Sequence, residues 1–432
     1  MPEDRVVVTG AGLVCSLGGS AQALWEGVSS GRTGVRSIEG FDASGFACRH
    51  AAQITPLRPD ELGLHPRDSR IMDTPSLMLM KATHDAYREA ALDQAAFRRE
   101  EIGFFAGMGM VDYGSGDLFP AVLKSLNADG ELDYGLFYTR GYTEIYPLWP
   151  LSMLNNIGFC QVATSLDIQG ENTVFSPHAD SGAMAVAEGV RTLLDGRVKV
   201  VLCGGVSEKV GPFSLARAQL AGVLNTSDPP GPPLCQPFGA ERKGTILGEG
   251  CGVIALELES SARKRAVPYR AAITGYGFSC EPAERSSGPT PKALKAAMEQ
   301  AIERGGGRPS EIDAVIAHGD GTVAGDRNEM EAIHDLFSGD VDRLPVFSSK
   351  GALGHLLAAA PLVDVILGIS MVNHGLVPAT VSTSSPDPSA RFRLVCGKSL
   401  TRDLGSVLIN GESYEGQAAS LLLEAAGESG GR

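Results

Sequence analysis

No two cysteines of this 432-residue chain are spaced as C-x-x-C. The eight that occur, at positions 15, 48, 160, 203, 235, 251, 280 and 396, are scattered singly. That spacing argues against a structural zinc site, and a chain of this length buries enough apolar surface to need no disulfide framework. Reduced core thiols in a cytoplasmic protein are expected. Basic runs are also missing: 37 Lys and Arg stand against 51 Asp and Glu, a net charge of −14, which argues against nucleic-acid binding. No apolar run of about 20 residues is present, so no membrane span is expected. The start, MPEDRVVVTG, places acidic residues before its apolar run and does not read as a signal peptide. Thr9-Gly10-Ala11-Gly12 lacks the full G-x-G-x-x-G spacing and the later acidic residue, so it reads as a tight turn after a short strand (5–8), not a phosphate cradle. No cofactor and no metal are expected.

What is present centres on residues 173–189, TVFSPHADSGAMAVAEG. Val174 and Phe175 are strand-like, Ser176-Pro177 breaks the run, and 182–194 has helical apolar spacing with Asp180 and Ser181 as caps. A strand running into a helix N-terminus is where many α/β enzymes place a nucleophile, because free N–H groups and the helix dipole favour negative charge there. Here the turn offers Pro177, His178 and Ala179, and no thiol.

Along the chain, helices are expected at 20–29, 73–91, 152–162, 292–303, 327–337 and 354–372, and strands at 102–106, 198–203, 252–258, 314–317 and 346–348. Three strand-plus-glycine segments recur in the same order. VVVTGAG (6–12) pairs with AAITGYG (271–277), EIGFFAGMG (101–109) with DAVIAHGDG (313–321), and KVVLCGG (199–205) with SVLINGE (406–412). Ordered recurrence predicts a duplicated α/β unit, divided into 1–260 and 261–432, with a site where the halves meet.

Longer stretches then carry a resemblance. They are RVVVTGAGLVCSLG (5–18), IMDTPSLMLMKATHDAYREAAL (71–92), VVLCGGVSE (200–208), QPFGAERKGTILGEGCGV (236–253), AHGDGT (317–322) and SSKGALGHLLAAA (348–360). Over nearly its whole length the chain resembles the β-ketoacyl synthases, the condensing enzymes of fatty-acid and polyketide synthesis. The resemblance implies a thiolase-like α/β fold: a duplicated βαβαβαββ unit in five layers, α-β-α-β-α, working as a dimer. Family members take an acyl chain from an acyl carrier protein onto a Cys at the turn before the central helix. Two histidines promote decarboxylation of a carrier-bound malonyl unit and stabilise its enolate. His318 and His355 fall on the histidine positions. Lys350 and Asp364 match the supporting charged pair, and Asp326 and Glu329 match the region after the first histidine.

The departures set the expectation for function. Counting back from Ser181-Gly182, the Cys position holds Ala179, whose methyl group cannot form a thioester. His178 and Asp180 stand where the family keeps small residues. Ser413-Tyr414-Glu415-Gly416 replaces the family's Gly-Phe-Gly-Gly loop, which supplies an oxyanion-hole amide and a gate, and Asp320 changes HGTGT to HGDGT. A single engineered Cys→Ala change would leave these flanks normal. A relative without its Cys resembles a chain-length factor (ketosynthase beta), the partner of a ketosynthase alpha subunit in type II polyketide synthases. Its tunnel and interface positions fall on Val111, Asp112, Gly114 and Leu118. Gly114, Ser115 and Gly116 imply a roomy tunnel and a long product; a plain surface loop suits Asp112, Gly114 and Ser115 equally. The alternative is a malonyl-carrier-protein decarboxylase, which needs His318 and His355 but no thiolate.

Overall fold

The computed structural model describes residues 4–66, 68–110, 115–152, 154–176, 178–227, 235–282 and 288–426. Eleven strands form the main sheet: β1 (Val6–Cys15), β2 (Ile102–Met108), β3 (Asn172–Phe175), β4 (Val200–Val206), β5 (Gly250–Leu258), β6 (Ala271–Cys280), β7 (Ala314–Ile316), β8 (Pro345–Phe347), β9 (Arg393–Leu394), β10 (Ser406–Glu412) and β11 (Gln417–Ala425). Their order across the sheet is β9-β8-β7-β10-β11-β6-β1-β5-β4-β2-β3. Reading outward from the centre, β1-β5-β4-β2-β3 is matched by β6-β11-β10-β7-β8. Each recurring sequence pair therefore occupies equivalent strands: β1 with β6, β2 with β7, and β4 with β10. The two sets join through the single register pair Val7↔Ala272.

Five helices complete the layers: α1 (Thr74–Glu89), α2 (Ala179–Leu194), α3 (Pro291–Arg304), α4 (Val323–Leu336) and α5 (Ala360–His374). α2 and α5 touch each other and strands of both sets, so they form a middle layer. α1 covers β1 and β5 on one outside, and α3 covers β6 and β11 on the other, with α4 against α3. This is the α-β-α-β-α sandwich. The middle layer explains two compositions. α5 is apolar nearly all round, as a helix buried on every side must be. The stretch Leu357–His374 has the length and hydropathy to cross a membrane, and 72% of it is buried inside the protein. α2 is rich in Ala and Gly because its neighbours press on it: a Cβ on Gly189 would sit 2.4 Å from Cys203 Sγ on β4, and one on Gly182 2.1 Å from the Ala358 carbonyl oxygen just before α5.

Three expectations are corrected. TGAG is no turn: β1 runs straight through it with a bulge near Thr9. Its glycines let α1 approach, since a Cβ on Gly12 would lie 1.9 Å from the Ala82 carbonyl oxygen. The helix expected over 152–162 is Asn156–Ser165. The expected helix 354–372 starts only at Ala360; before it, Lys350–Leu353 forms one turn and the chain breaks at Gly354 (φ +66°) and Leu357 (φ +48°). The break has a cause. The His355 N–H donates to the Ile246 carbonyl at 2.6 Å and the Gly248 N–H donates to the His355 carbonyl at 3.0 Å, which ties the segment to a neighbouring loop.

Candidate functional site

The site lies where the middle layer meets the ends of β7 and β10. His318 follows β7, and its own N–H and that of Gly319 donate to the Glu329 carboxylate at 2.9 and 2.8 Å. Asn410, near the end of β10, donates to the same carboxylate at 3.0 Å. Glu329 thus fixes the turn from which the first imidazole projects. His355 is held by the helix break just described. The two rings meet edge-on, centroids 4.9 Å apart and 80° between planes.

Both rings are held in the same protonation form. The Glu412 N–H donates to His318 Nδ1 at 3.2 Å, and the Leu357 N–H donates to His355 Nδ1 at 3.1 Å. A neutral imidazole that accepts at Nδ1 carries its proton on Nε2. Burial holds both rings well below the usual histidine range. His355 and Lys350 add to this for His318; Lys350 and then His178 add to it for His355. They are therefore neutral donors at pH 7, the form needed to stabilise a developing oxyanion or enolate. Lys350 Nζ donates to Asp364 Oδ2 at 2.8 Å with both side chains 1% exposed, so the cation is paired inside the core.

The nucleophile side differs. Ala179 is buried as the first residue of α2, whose N-cap is His178 with no side-chain capping bond. The helix thus starts earlier than expected: Asp180 and Ser181 lie in its first turn, and Ser181 Oγ donates to the His178 carbonyl at 2.5 Å. His178 Nε2 bonds Glu415 Oε1 at 2.8 Å. The 413–416 turn between β10 and β11 carries Tyr414 inward, its ring 5.6 Å from that of His355 and 5.9 Å from that of His178. The Tyr414 hydroxyl is buried without a partner, and burial raises its pKa well above 10. The 413–416 turn thus sets Tyr414 against the rings of both His178 and His355.

The fold therefore brings together Ala179, His318, His355, Lys350, Ser413, Tyr414 and Glu415. Of the tunnel positions, Val111, Asp112 and Gly114 lie outside the described residues; Leu118 is half-buried ahead of the short helix Phe119–Leu123. A cleft of about 170 Å³ opens at the end of β2, lined in part by Met72, Met108, Met110, Leu154, Ile157 and Val206. Sequence reading missed Glu412. It sits beside Glu329, Asp320 and Asp326, and its carboxyl is held well above the usual range, by burial first and then by those neighbours. It also missed that His178 and Glu415, two departures 237 positions apart, bond each other. The available signal was an imidazole and a carboxylate at positions the family keeps small. Among the described residues, no group of three or more His, Cys, Asp or Glu is arranged to hold a metal ion.

Two family models match this chain: β-ketoacyl synthase, N-terminal domain, over residues 3–262, and β-ketoacyl synthase, C-terminal domain, over 270–384. The chain belongs to the β-ketoacyl synthase family. Among β-ketoacyl synthases, it is 26% identical to a 3-oxoacyl-[acyl-carrier-protein] synthase 2 from Synechocystis sp., over 98% of each chain. It is 29% identical to the tetracenomycin polyketide synthase ketoacyl synthase alpha subunit of Streptomyces glaucescens, over 97% of each. The solved ishigamide ketosynthase/chain length factor superposes with a TM-score of 0.85 at 26% identity, covering 98% of this chain and 100% of that one. A β-ketoacyl synthase from Burkholderia phymatum gives 0.84 at 23% identity, with 98% and 100% covered, and bears on the fold alone.

Proposed function

We propose that this β-ketoacyl synthase relative is the non-acylating, chain-length-factor subunit of a type II polyketide synthase. It pairs with a catalytic ketosynthase alpha subunit and shapes the tunnel in which the partner's chain grows. The observation that carries this reading is Ala179: a methyl group stands where the family's acyl-accepting Cys would be, while His318, His355 and Lys350 are kept. Likeness to the ishigamide ketosynthase/chain length factor and to the tetracenomycin alpha subunit supports a polyketide context. The methionine-lined cleft at the end of β2 is the region that would meet the growing chain; Met side chains adapt to varied apolar shapes. Its working partners would be the alpha subunit and an acyl carrier protein in the cytoplasm. The test is co-expression with a ketosynthase alpha subunit, followed by mass measurement of the purified complex. A one-to-one heterodimer is expected; a homodimer that ignores the partner rules the reading out.

A second reading is favoured by the paired Nε2–H histidines: decarboxylation of a malonyl-carrier thioester, which needs an enolate site and no thiolate. Carbon dioxide released from malonyl-carrier protein by this chain alone, and lost in His318→Ala, would support it.

A further inference from the structure

The turn that carries no thiol carries an imidazole. With Glu415 ionised, and so only an acceptor, His178 donates to it from Nε2, and in the neutral imidazole the lone pair is then on Nδ1. That Nδ1 is buried and meets no partner. A buried acceptor without a donor calls for an explanation in any native structure. Around it stand Glu415, Asp180 on the first turn of α2, and Tyr414, whose ring also touches His355. Behind Tyr414, His355 and His318 accept backbone bonds at Nδ1, which leaves their protons on Nε2. A base aligned by a carboxylate and a pair of neutral donors are thus set in one chain of ring contacts, next to the position that lost its nucleophile.

We infer that this pocket hydrolyses acyl thioesters. His178 acts as the general base, Glu415 is its positioning residue, and the Nε2–H groups of His318 and His355 hold the oxyanion. Water takes the role the thiol would have. His178 Nδ1 removes its proton as the oxygen attacks the thioester carbonyl carbon, and the carbonyl electron pair moves onto oxygen between the two histidines. Collapse of the tetrahedral species re-forms the carbonyl and breaks the C–S bond. The thiolate leaves with the electron pair and takes the proton back from Nδ1. The products are a carboxylic acid and a free thiol, and no oxidant or covalent acyl-enzyme is needed. A thioester suits a site with a single base, since a thiol of pKa about 8.5 departs without strong acid assistance. The end of β2 abuts the first turn of α2, where a Cβ on Gly107 would lie 2.4 Å from the Gly182 nitrogen. The acyl tail is assigned to the cleft that opens at Met108, whose lining mixes Met and Leu with Arg70, Asp73 and Asn155. The activity does not depend on the proposed pairing with a ketosynthase.

The probe is octanoyl-N-acetylcysteamine, given to the full chain alone or in complex with a ketosynthase whose own nucleophile has been removed. Free thiol and octanoic acid should appear together over many turnovers, with no acyl adduct in the intact mass. His178→Ala and His355→Ala should each slow release by about 100-fold or more. Glu415→Gln should slow it less and move the acid limb of the rate–pH profile to lower pH, because the imidazolium loses its carboxylate. A rate equal to that of the buffer overturns the inference, and so does an undiminished rate in a folded His178→Ala chain. Glu415 lies at the surface, so Glu415→Gln tests the idea even if the histidine variants fail to fold: an unmoved acid limb counts against it.

Discussion

The two sides of the pocket are built to different standards. On the histidine side the positioning bonds are made: Glu329 takes three donors, each Nδ1 takes a backbone N–H, and Lys350 is paired with Asp364, although Asp364 Oδ1 and Glu412 Oε1 are left without a partner. On the opposite side, His178 Nδ1 and the Tyr414 hydroxyl are buried with no partner. A fully satisfied buried network holds one geometry, whereas a half-satisfied one costs stability. The contrast separates what the chain keeps, a rigid pair of neutral donors, from what it has changed, the place where a thiol would take an acyl group.

Substitutions can sharpen or break that contrast. The largest effect is expected at the ion pair: Lys350→Met leaves Asp364 charged and buried, and unfolding in denaturant should show a loss of about 3–5 kcal/mol. A loss below 1 kcal/mol would mean that the histidine side is not the rigid one. Glu412→Gln should have the opposite sign. The folded state keeps the Glu412 proton, the unfolded state releases it above its ordinary pKa of 4.5, and native stability therefore falls as pH rises. The neutral amide removes that dependence. It should gain stability at pH 8, with the gain vanishing near pH 4.5. Equal gains at both pH values would refute the assignment. Tyr414→Phe deletes a buried hydroxyl without a partner and should stabilise by about 1 kcal/mol in the same assay. The smallest change belongs to Glu415→Gln, since that side chain is 56% exposed; a loss under ~1 kcal/mol is expected.

Much of the fold was legible because it repeats. Strand pairs recurring in order marked equivalent places in the sheet, and buried strands ending in glycine are dense local signals. Local reading failed where long-range contacts decide. The segment 354–359 has the composition of a helix, yet bonds to Ile246 and Gly248 hold it open and so place His355. In TGAG the glycines serve the approach of α1, not a turn. At the site, His318, His355, Lys350 and Ala179 could be named from motifs. The His178–Glu415 bond and the orphaned Glu412 carboxyl could not, because each depends on segments far apart in the chain.

The most direct test of the central claim is the intact mass of both subunits after the purified complex is loaded with acyl-carrier thioester. The account predicts that only the ketosynthase alpha subunit gains the acyl mass, while this chain keeps its own. An acyl adduct on this chain would contradict it.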